Sequence, residues 1–409
     1  MRRGRRPELA IATERAPWRI VWALSVTQIV SWGSIYYAIS VLLTPIEQTM
    51  GWTRDAIVGA FSLSLLCAGA GAFPVGVLID RYGGRAVMAG GSAVAGTLFL
   101  MLSQVSTLPA FYAIWAGLGF AMATVLYEPA FAVITHAFGA QARKAITVLT
   151  LAGGFASTVF WPLTQLLVAQ FGWRDALLAL AAFNLLLCAP LHAFVLPGAP
   201  RGARAAAPAE KKAIARSQTP LAEIVRSRTF LLLAIAFTAN MLAFSALSVH
   251  LIPLLLEKGF TAGDAVLLAA LVGPMQVAGR IGEYWLGSRV RASHMAVIAL
   301  AMLPSALLFL YFARAPGWGL VAVFVILYGA SNGIMTIVRG LLPAEIFGAE
   351  RYGAINGALS APVLASRAGG PILASLAWSA SGGYGAVIGS LAAIGVISVI
   401  SFQLRERRA

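Results

Sequence analysis

Long apolar segments constrain this chain more than any other feature of its sequence. From Trp18 to the C-terminus, runs of twenty or more mostly apolar residues recur, and a helix of that length crosses about 30 Å of hydrocarbon. Only 11% of the 409 residues are charged, whereas a soluble domain carries about 25%. The pattern predicts a polytopic α-helical membrane protein and not a β-barrel, whose strands would give alternating segments of about ten residues.

The predicted spans fall into two groups of six on either side of a polar segment. We expect spans one to six at 18–43, 54–79, 85–105, 109–137, 143–170 and 173–196, and spans seven to twelve at 229–256, 262–288, 293–313, 316–341, 351–378 and 382–403. Residues 197–228 are rich in Pro, Ala and basic side chains, which is typical of an exposed linker with a short surface helix. With tails at 1–17 and 404–409, this is an all-α membrane fold of twelve transmembrane helices in two bundles, 18–196 and 229–403.

Lysine and arginine are distributed unevenly between the two sides of the predicted membrane. Of the 30 basic residues, 23 lie in the tails, the linker, and the loops and adjoining span ends on one side, and three lie deeper within spans. The opposite side has four, namely Arg54, Arg174, Lys258 and Arg314. The positive-inside rule then predicts cytoplasmic termini in a cell inner membrane. The net charge of +15 is explained by this topology, so we expect no nucleic-acid partner.

The N-terminus and the two cysteines need separate comment. The basic start could mimic a signal peptide, but the apolar segment from Trp18 to Leu43 is too long for one and lacks a small-residue cleavage site. We interpret it as a retained first span. Cys67 and Cys188 both lie within apolar spans without a pairing pattern, so neither a disulfide framework nor a metal site is expected.

The two halves of the sequence resemble each other. HAFGAQARKAITVLTLAGG at 136–154, which enters span five, matches AEIFGAERYGAINGALSAP at 344–362, which enters span eleven. The Phe-Gly-Ala of the first segment corresponds to Phe-Gly-Ala of the second, and Arg143 to Arg351. Internal repeats of this kind are typical of transporters whose substrate site lies near the midplane, where the halves meet.

The loop after span two reads GVLIDRYGGR, from Gly76 to Arg85. A glycine, three residues, Asp-Arg and a Gly-Arg ending between two spans resemble the signature loop of the major facilitator superfamily. We expect Gly76 to allow close helix approach, Asp80 to cap a helix or form a salt bridge, and Gly83 to make the tight turn. The predicted gating residues are Gly76, Asp80, Arg81, Gly83 and Arg85 here, and Arg339 at the cytoplasmic end of span ten. The matching loop of the second half, YWLGSRVR, is degenerate, with Ser288 in place of the aspartate.

Within that superfamily, several segments resemble the monocarboxylate-transporter and oxalate–formate exchanger branch. They are YEPAFAVITHAFGAQARKAITVLTLAGG, GWTRDAIVGAFSLSLL and FGWRDALLALAAFNLLL. The resemblance implies a substrate-binding arginine in span eight, where Arg280 stands, and a cation in span eleven, where Arg367 stands. Two departures put the branch's proton coupling in doubt: Gln276 occupies the place of an aspartate, and Tyr37 occupies the place of a lysine.

Charged residues inside the spans are the strongest site candidates, because burying them without a role is costly. Arg280 could form a local ion pair with Glu283, three residues away, or present its guanidinium fork to a substrate carboxylate. Arg367 lies too deep to snorkel, so it either pairs with a residue such as Glu128 or faces a cavity. Glu128 is either the proton carrier or a fixed counter-ion to an arginine.

Uncharged polar residues are expected to line the same cavity. The predicted substrate contacts besides Arg280 and Arg367 are Gln276, Tyr36, Tyr37, Gln28, Asn240, Tyr328, Asn332, Ser360 and Trp161. Asn356, Ser360 and Arg367 share one helical face, and Gly369, Gly370 and Pro371 beyond them permit a bend. Arg339 is expected either to snorkel or to act as a gating charge.

These features favour a secondary transporter of a small organic anion, a monocarboxylate or short dicarboxylate, with a proton as the coupling ion. The alternative is a carrier of a larger amphipathic or aromatic compound, such as a drug-like molecule or a vitamin. Walker loops, paired metal ligands and nucleophile elbows do not occur in the sequence, so an enzyme is not expected, and neither is a cofactor. A monomer in a lipid bilayer suffices for this architecture.

Overall fold

All regular structure is helical in the computed structural model, which describes residues 8–198, 221–286, 290–348 and 352–406. The helices of the first half are Glu8–Ser31, a π-helix Trp32–Tyr37, Ile39–Met50, Arg54–Ser103, Leu108–Val125, Tyr127–Phe138, the 3₁₀ turn Gly139–Gln141, Ala142–Gly153, Ala156–Ala182, a π-helix Phe183–Cys188 and Ala189–Val195. Those of the second half are Leu221–Arg226, Arg228–Glu257, Ala262–Ala270, Val272–Leu286, Ala292–Phe312, Trp318–Phe347, Tyr352–Ser381 and Tyr384–Glu406.

Nine helices within the described ranges are long and apolar enough to cross a membrane. Two of them, Arg54–Ser103 and Ala142–Val195, have 50 and 54 residues, roughly twice the length that one crossing needs. Each is interrupted by a glycine in the left-handed region, Gly83 (φ 79°) and Gly172 (φ 83°). The all-α multi-pass fold is therefore confirmed, whereas the count of twelve spans and the domain boundaries stay predictions.

Most predicted span ends agree with the helices to within several residues. Span one differs, because its helical path continues to Met50 instead of stopping at Leu43. The short helix expected in the linker is Leu221–Arg226, directly before span seven. Ser288, Ala349 and Arg351 lie outside the described residues, as do 199–220.

We use "terminal side" for the side on which the helix Glu8–Ser31 begins and the helix Tyr384–Glu406 ends, and "far side" for the opposite one. The internal repeat is visible in one terminal-side turn of each half. Gly139 (φ 53°) and Gly348 (φ 81°) end the helices that contain Phe138 and Phe347 on the terminal side. Only glycine adopts such angles without strain, which explains why the Phe-Gly pair occurs in both halves.

Packing within each half repeats as well. A Cβ at Gly119 of span four would collide with the Ser64 carbonyl of span two, and a Cβ at Gly333 of span ten would collide with the Gln276 carbonyl of span eight. Backbones approach this closely in membranes only where small residues stand. The second and fourth helices of each bundle are thereby held as a rigid pair.

Candidate functional site

A break in span four is held together by Gln28 from span one. Pro129 has no N–H, so the carbonyl of Val125 loses its helical partner. The Gln28 amide donates to that carbonyl at 2.7 Å and to the Leu126 carbonyl at 3.3 Å. Its oxygen accepts from the Trp32 indole at 3.1 Å. Gln28 was expected to contact substrate, but its amide is fully buried and occupied by protein groups.

The Gln28 amide is expected to stabilise the fold. Gln28→Leu removes the donor to a buried carbonyl, which costs about 1–3 kcal/mol of stability, and should lower the melting temperature of the purified protein. Gln104→Leu is the matched control, because Gln104 lies in a far-side turn and bonds only its neighbour Ser103. Equal melting temperatures for Gln28→Leu and wild type would refute the structural role.

Span eleven is supported by span seven in the same way. Pro371 leaves the carbonyl of Arg367 without a helical donor, and the Ser245 hydroxyl donates to it. A Cβ at Gly370 would lie 2.5 Å from the Leu242 carbonyl, so this glycine serves close approach to span seven. Tyr352–Ser381 continues as one helix through Pro371, and the expected bend stays a prediction. The backbone at Arg367 is thus fixed against span seven.

The guanidinium of Arg367 lies against two neighbouring aromatic rings. Its Cζ is 5.2 Å from the ring centroids of both Trp32 and Tyr36, within the range of cation–π attraction. It forms no ion pair with any carboxylate in the described part of the chain, Glu128 included. A guanidinium in cation–π contact can still donate hydrogen bonds from its N–H groups.

Arg280 is buried and crosses from the second half to the first. It donates to the Thr150 carbonyl of span five and interacts with the Tyr127 hydroxyl of span four. Its Nε has no hydrogen-bond partner within the described ranges. The local pair with Glu283 is not formed, since the charge that acts on Glu283 is Arg143 from span five.

Aromatic side chains fill the space between the two arginines. The π-helix Trp32–Tyr37 brings three of them together, and π-helical turns are frequent at functional sites. Trp32 lies 5.0 Å from Tyr127, and Tyr36 lies 5.1 Å from Tyr37, between ring centroids. Both arginines act electrostatically on the Tyr37 hydroxyl. We call Arg280, Arg367, Trp32, Tyr36, Tyr37 and Tyr127 the central site.

The other predicted contacts surround this site at different depths. Trp161 lies 5.4 Å from Tyr37 and donates its indole N–H to the Tyr37 carbonyl at 3.0 Å. The Tyr36 hydroxyl pairs with Ser248 at 3.0 Å, and the Tyr328 hydroxyl donates to the Phe244 carbonyl at 3.3 Å. These groups are thus satisfied by the protein.

Four predicted polar contacts remain. Gln276 and Asn240 are buried, and the Asn240 amide nitrogen finds no partner in the described ranges. Asn332 is half-buried and Ser360 is exposed, with its hydroxyl bonded to the Asn356 carbonyl at 2.8 Å. The structure therefore does not gather all of these residues around one point.

Glu128 and Arg339 lie toward the terminal side, on opposite halves. Arg339 senses the charges of both Arg367 and Glu128, but no ion pair within 4 Å joins it to Glu128. Glu128 is exposed, although it sits within a membrane-spanning segment.

The signature loop is partly as expected. Gly83 makes the turn, and Arg85 donates to the Leu196 carbonyl at 2.7 Å. Asp80 is exposed and forms no ion pair with a described residue, and the Arg81 guanidinium lies 5.2 Å from the Tyr82 ring. At Gly76 a Cβ would meet no described residue within 4 Å in this conformation, so its role in close helix approach stays a prediction.

On the far side the two halves are joined by a cluster that sequence reasoning missed. Arg54 of span two pairs with Glu47 at 3.0 Å, donates to the Tyr384 hydroxyl at 3.2 Å and stacks 4.0 Å from the Trp378 ring centroid. Glu257 of span seven accepts from the Trp378 indole at 2.7 Å and the Tyr384 amide at 2.6 Å. We call these five residues the far-side gate.

Two further contacts reinforce this gate. The Ser375 hydroxyl donates to Asp55 at 2.5 Å across the halves. His250 bonds the Pro371 carbonyl at 2.9 Å and the Tyr384 hydroxyl at 2.7 Å. Because a carbonyl only accepts, Nε2 carries the proton and Nδ1 accepts from Tyr384. One sequence signal could have found the gate, since Arg54 is among four basic residues on its side.

Spans two and eleven show which side is open. They are in contact at Gly59 and Ile372 near the far side and at Gly69 and Leu364 near mid-depth. At Gly76, two turns further toward the terminal side, no described residue lies within 4 Å of where a Cβ would be. The structure is therefore closed at the far side and open toward the terminal side.

Comparison with known proteins agrees with this architecture. The sequence pattern of the family described as Major Facilitator Superfamily matches residues 24–371. Monocarboxylate transporter 12 of Rattus norvegicus is 24% identical over 314 residues, covering 70% of this chain and 63% of that protein. Monocarboxylate transporter 3 of Rattus norvegicus is 27% identical over 325 residues, covering 77% and 64%. The chain thus spans less than two thirds of the length of these relatives.

Solved structures with the same fold include a mutant of the nucleoside transporter NupG, with a TM-score of 0.78 and 13% identity over 96% of this chain and all of that chain. A bacterial homolog of the human lysosomal transporter Spinster, in an inward-facing and unoccupied conformation, has a TM-score of 0.70 and 15% identity over 98% of this chain and 96% of that chain. At these identities the likeness is one of fold.

Proposed function

Since the chain belongs to the major facilitator superfamily of transporters, we propose that it is a secondary transporter of a small organic anion. The proposed passenger is a monocarboxylate or a short dicarboxylate, carried by alternating access to the central site. The similarity to monocarboxylate transporters supports this passenger class.

The observation that carries the proposal is the state of the two central arginines. Arg280 and Arg367 both act electrostatically on the Tyr37 hydroxyl, and neither pairs with a carboxylate in the described part of the chain. A buried cation without a counter-ion is costly. A passenger carboxylate would supply that counter-ion and could accept two parallel hydrogen bonds from a guanidinium fork.

Charge balance bears on the size of the passenger. Arg339 and Glu128 lie beside Arg367 and Arg280, so the four groups carry three positive charges against one negative charge. A dicarboxylate would neutralise this excess, and a monocarboxylate would leave one positive charge. Both substrate classes are therefore compatible with the charges of the site. Uptake of pyruvate compared with uptake of malonate distinguishes them.

We assign proton coupling to Glu128. Its charge acts on Arg339 of the other half. Closure toward the terminal side would change the surroundings of this carboxylate. The same group could then take up and release one proton in each cycle.

This assignment predicts the behaviour of one variant. Glu128→Gln should abolish the dependence of carboxylate accumulation on a pH gradient, because the amide cannot titrate, while exchange of internal for external carboxylate continues. Glu345→Gln is the control, as Glu345 is exposed near the terminal-side end of span ten. Accumulation by Glu128→Gln that still follows the pH gradient would remove Glu128 from the coupling role.

The proposed orientation places the terminal side in the cytoplasm and the protein in the cell inner membrane. The excess of basic residues on that side supports it. In this orientation the described conformation faces inward, with the far-side gate closed to the outside. The protein is proposed to act as a monomer.

The alternative passenger is a larger amphipathic or aromatic compound. It is favoured by the aromatic rings around Arg367 and Tyr37, which together with Trp161 form the walls of the central site. Aromatic faces attract flat apolar groups and cations more than short acids.

Uptake into proteoliposomes tests the proposal. Purified protein is reconstituted, and uptake of labelled pyruvate, malonate, benzoate and an uncharged aromatic amide is compared with that of empty liposomes. Uptake of one or more of the acids, and none of the amide, is the expected result. Uptake of the amide alone would transfer support to the alternative passenger.

A further inference from the structure

Arg280 already has acceptors within the protein when no passenger is bound. It is 7% exposed, donates to the Thr150 carbonyl, and interacts with the Tyr127 hydroxyl. Both acceptors belong to the first half, whereas Arg280 belongs to the second. Among the five N–H donors of the guanidinium, the one on Nε has no partner in the described ranges, so the protein does not satisfy all of them.

The Thr150 carbonyl lies next to an interruption in span five and accepts from Arg280 in addition to its helical donor. One helix ends at Gly153 and the next begins at Ala156, and the carbonyl carries a bond of 3.1 Å from the Gly154 amide. A Cβ at Gly154 would lie 2.9 Å from Val277 and 3.4 Å from Arg280 Nη1. Glycine at this break therefore lets span eight approach until Arg280 reaches the carbonyl.

The Tyr127 hydroxyl is placed by packing on all sides. Tyr127 follows the break at Leu126, its ring stacks on Phe131 at 5.3 Å, and it lies 5.0 Å from Trp32. A Cβ at Gly153 would collide with its hydroxyl. The hydroxyl thus has a fixed position next to the guanidinium.

We propose that Tyr127 is a positioning residue for Arg280. Its hydroxyl and the Thr150 carbonyl hold the guanidinium while the inward-facing site is empty, and the passenger's carboxylate competes with this pair for the same donors. The competition between the substrate carboxylate and these two acceptors rests on the function proposed above. The hydrogen bonding of Arg280 to Tyr127 and Thr150 does not.

The chemistry of the acceptors suits this exchange. Hydrogen bonds to neutral oxygens are weaker than those to a carboxylate, so a passenger can displace them. A protein carboxylate in the same place would compete with the passenger on equal terms. Glu283, three residues from Arg280, senses Arg143 and forms no ion pair with Arg280.

Residue-resolved arginine modification tests the hold. The full-length protein, purified without carboxylate buffers, is treated with phenylglyoxal, and the labelling of each arginine is followed by peptide mass spectrometry. Tyr127→Phe keeps the ring and removes the hydroxyl, and should raise the labelling rate of Arg280 about three- to tenfold, the worth of one hydrogen bond. Arg174 is the internal reference, since its bonds lie within the first half.

Two further variants test whether the effect comes from the position of the Tyr127 hydroxyl. Gly153→Ala, whose methyl group displaces the Tyr127 hydroxyl, should raise Arg280 labelling in the same way without changing Tyr127. Tyr311→Phe, at the far-side end of span nine, should leave it unchanged. An Arg280 rate equal to or below that of wild type in both Tyr127→Phe and Gly153→Ala would overturn the positioning role.

Protection by carboxylates separates the two proposals. Pyruvate or malonate should slow Arg280 labelling, with a half-protecting concentration about three- to tenfold lower in Tyr127→Phe than in wild type. Equal half-protecting concentrations would refute the competition and leave the anion passenger intact. If Arg280 were labelled faster in Tyr127→Phe but neither acid slowed the labelling, the positioning role of Tyr127 would stand and transport of a small organic anion would be refuted.

Discussion

Arg280→Ala will reduce carboxylate uptake by thirtyfold or more, and Arg280→Lys will reduce it by about tenfold. Removing one partner of a buried, hydrogen-bonded charge pair costs about 2–5 kcal/mol, and each 1.4 kcal/mol is a factor of about ten. Lysine keeps the charge but lacks the planar fork that binds both carboxylate oxygens. The measurement is initial uptake into proteoliposomes over a range of substrate concentrations.

The control for this prediction is Arg174→Ala. Arg174 donates to the carbonyls of Ser103 and Val105 at 2.6 and 2.9 Å and stacks 4.3 Å from Trp173, all within the first half. Its loss should leave the apparent affinity for the carboxylate unchanged. If both Arg280 variants transported as fast as wild type, Arg280 would have no role in binding the anion.

Trp378→Ala will shift the protein from the state that is open toward the terminal side to the state that is open toward the far side. The substitution removes the ring on which Arg54 stacks and the indole that donates to Glu257. A cation–π contact contributes about 0.5–2 kcal/mol, and a hydrogen bond to a charged group about 1.5–3 kcal/mol. Together they change the ratio of the two states by about thirtyfold or more.

Spin labels on the far side can measure this shift. Cysteines introduced at Gln48 and Ser381, exposed positions in different halves, report the distance across the gate by pulsed electron resonance after Cys67 and Cys188 are replaced. Trp378→Ala should add a population at longer distance, and Arg54→Ala should do the same. The control Arg174→Ala should give the wild-type distribution, and an unchanged distribution in both gate variants would mean that this cluster does not hold the far side closed.

The gate also lies close to the central site. His250 bonds both Tyr384 of the gate and the Pro371 carbonyl, one helical turn beyond Arg367. Span eleven therefore receives contacts from the gate and, through Ser245, from span seven. Opening the gate would release one of the two supports that fix the backbone of Arg367.

Apolar length and buried charge made much of the architecture predictable. The spans follow from runs long enough to cross a bilayer, and Arg367 stood out because no arginine is buried so deeply without a reason. Pro129 and Pro371 could also be read correctly, since each removes one N–H at a known position. The donors that replace the lost N–H groups could not be predicted from the sequence. They are Gln28 and Ser245, which lie 97 and 122 residues from the carbonyls to which they donate.

Contacts between the halves were beyond the reach of local sequence patterns. Glu283 lies three residues from Arg280, a spacing that favours an ion pair on an isolated helix, yet the charge near Glu283 is Arg143 of span five. The far-side gate joins residues up to 330 positions apart. Tyr127 was overlooked because an aromatic residue in a membrane helix carries no signal until its neighbours are known.

The most direct test of the central claim is binding of matched acid and amide pairs to the purified protein. Ligands that bind the folded state raise its melting temperature by mass action, so thermal shifts are compared for pyruvate and pyruvamide and for benzoate and benzamide, in wild type and in Arg280→Gln/Arg367→Gln. At least one acid should stabilise the wild type, its amide should not, and the double variant should lose the effect. Stabilisation of the double variant by the same acid to the wild-type extent, or equal stabilisation of the wild type by an acid and its amide, would show that the two arginines do not bind a substrate carboxylate.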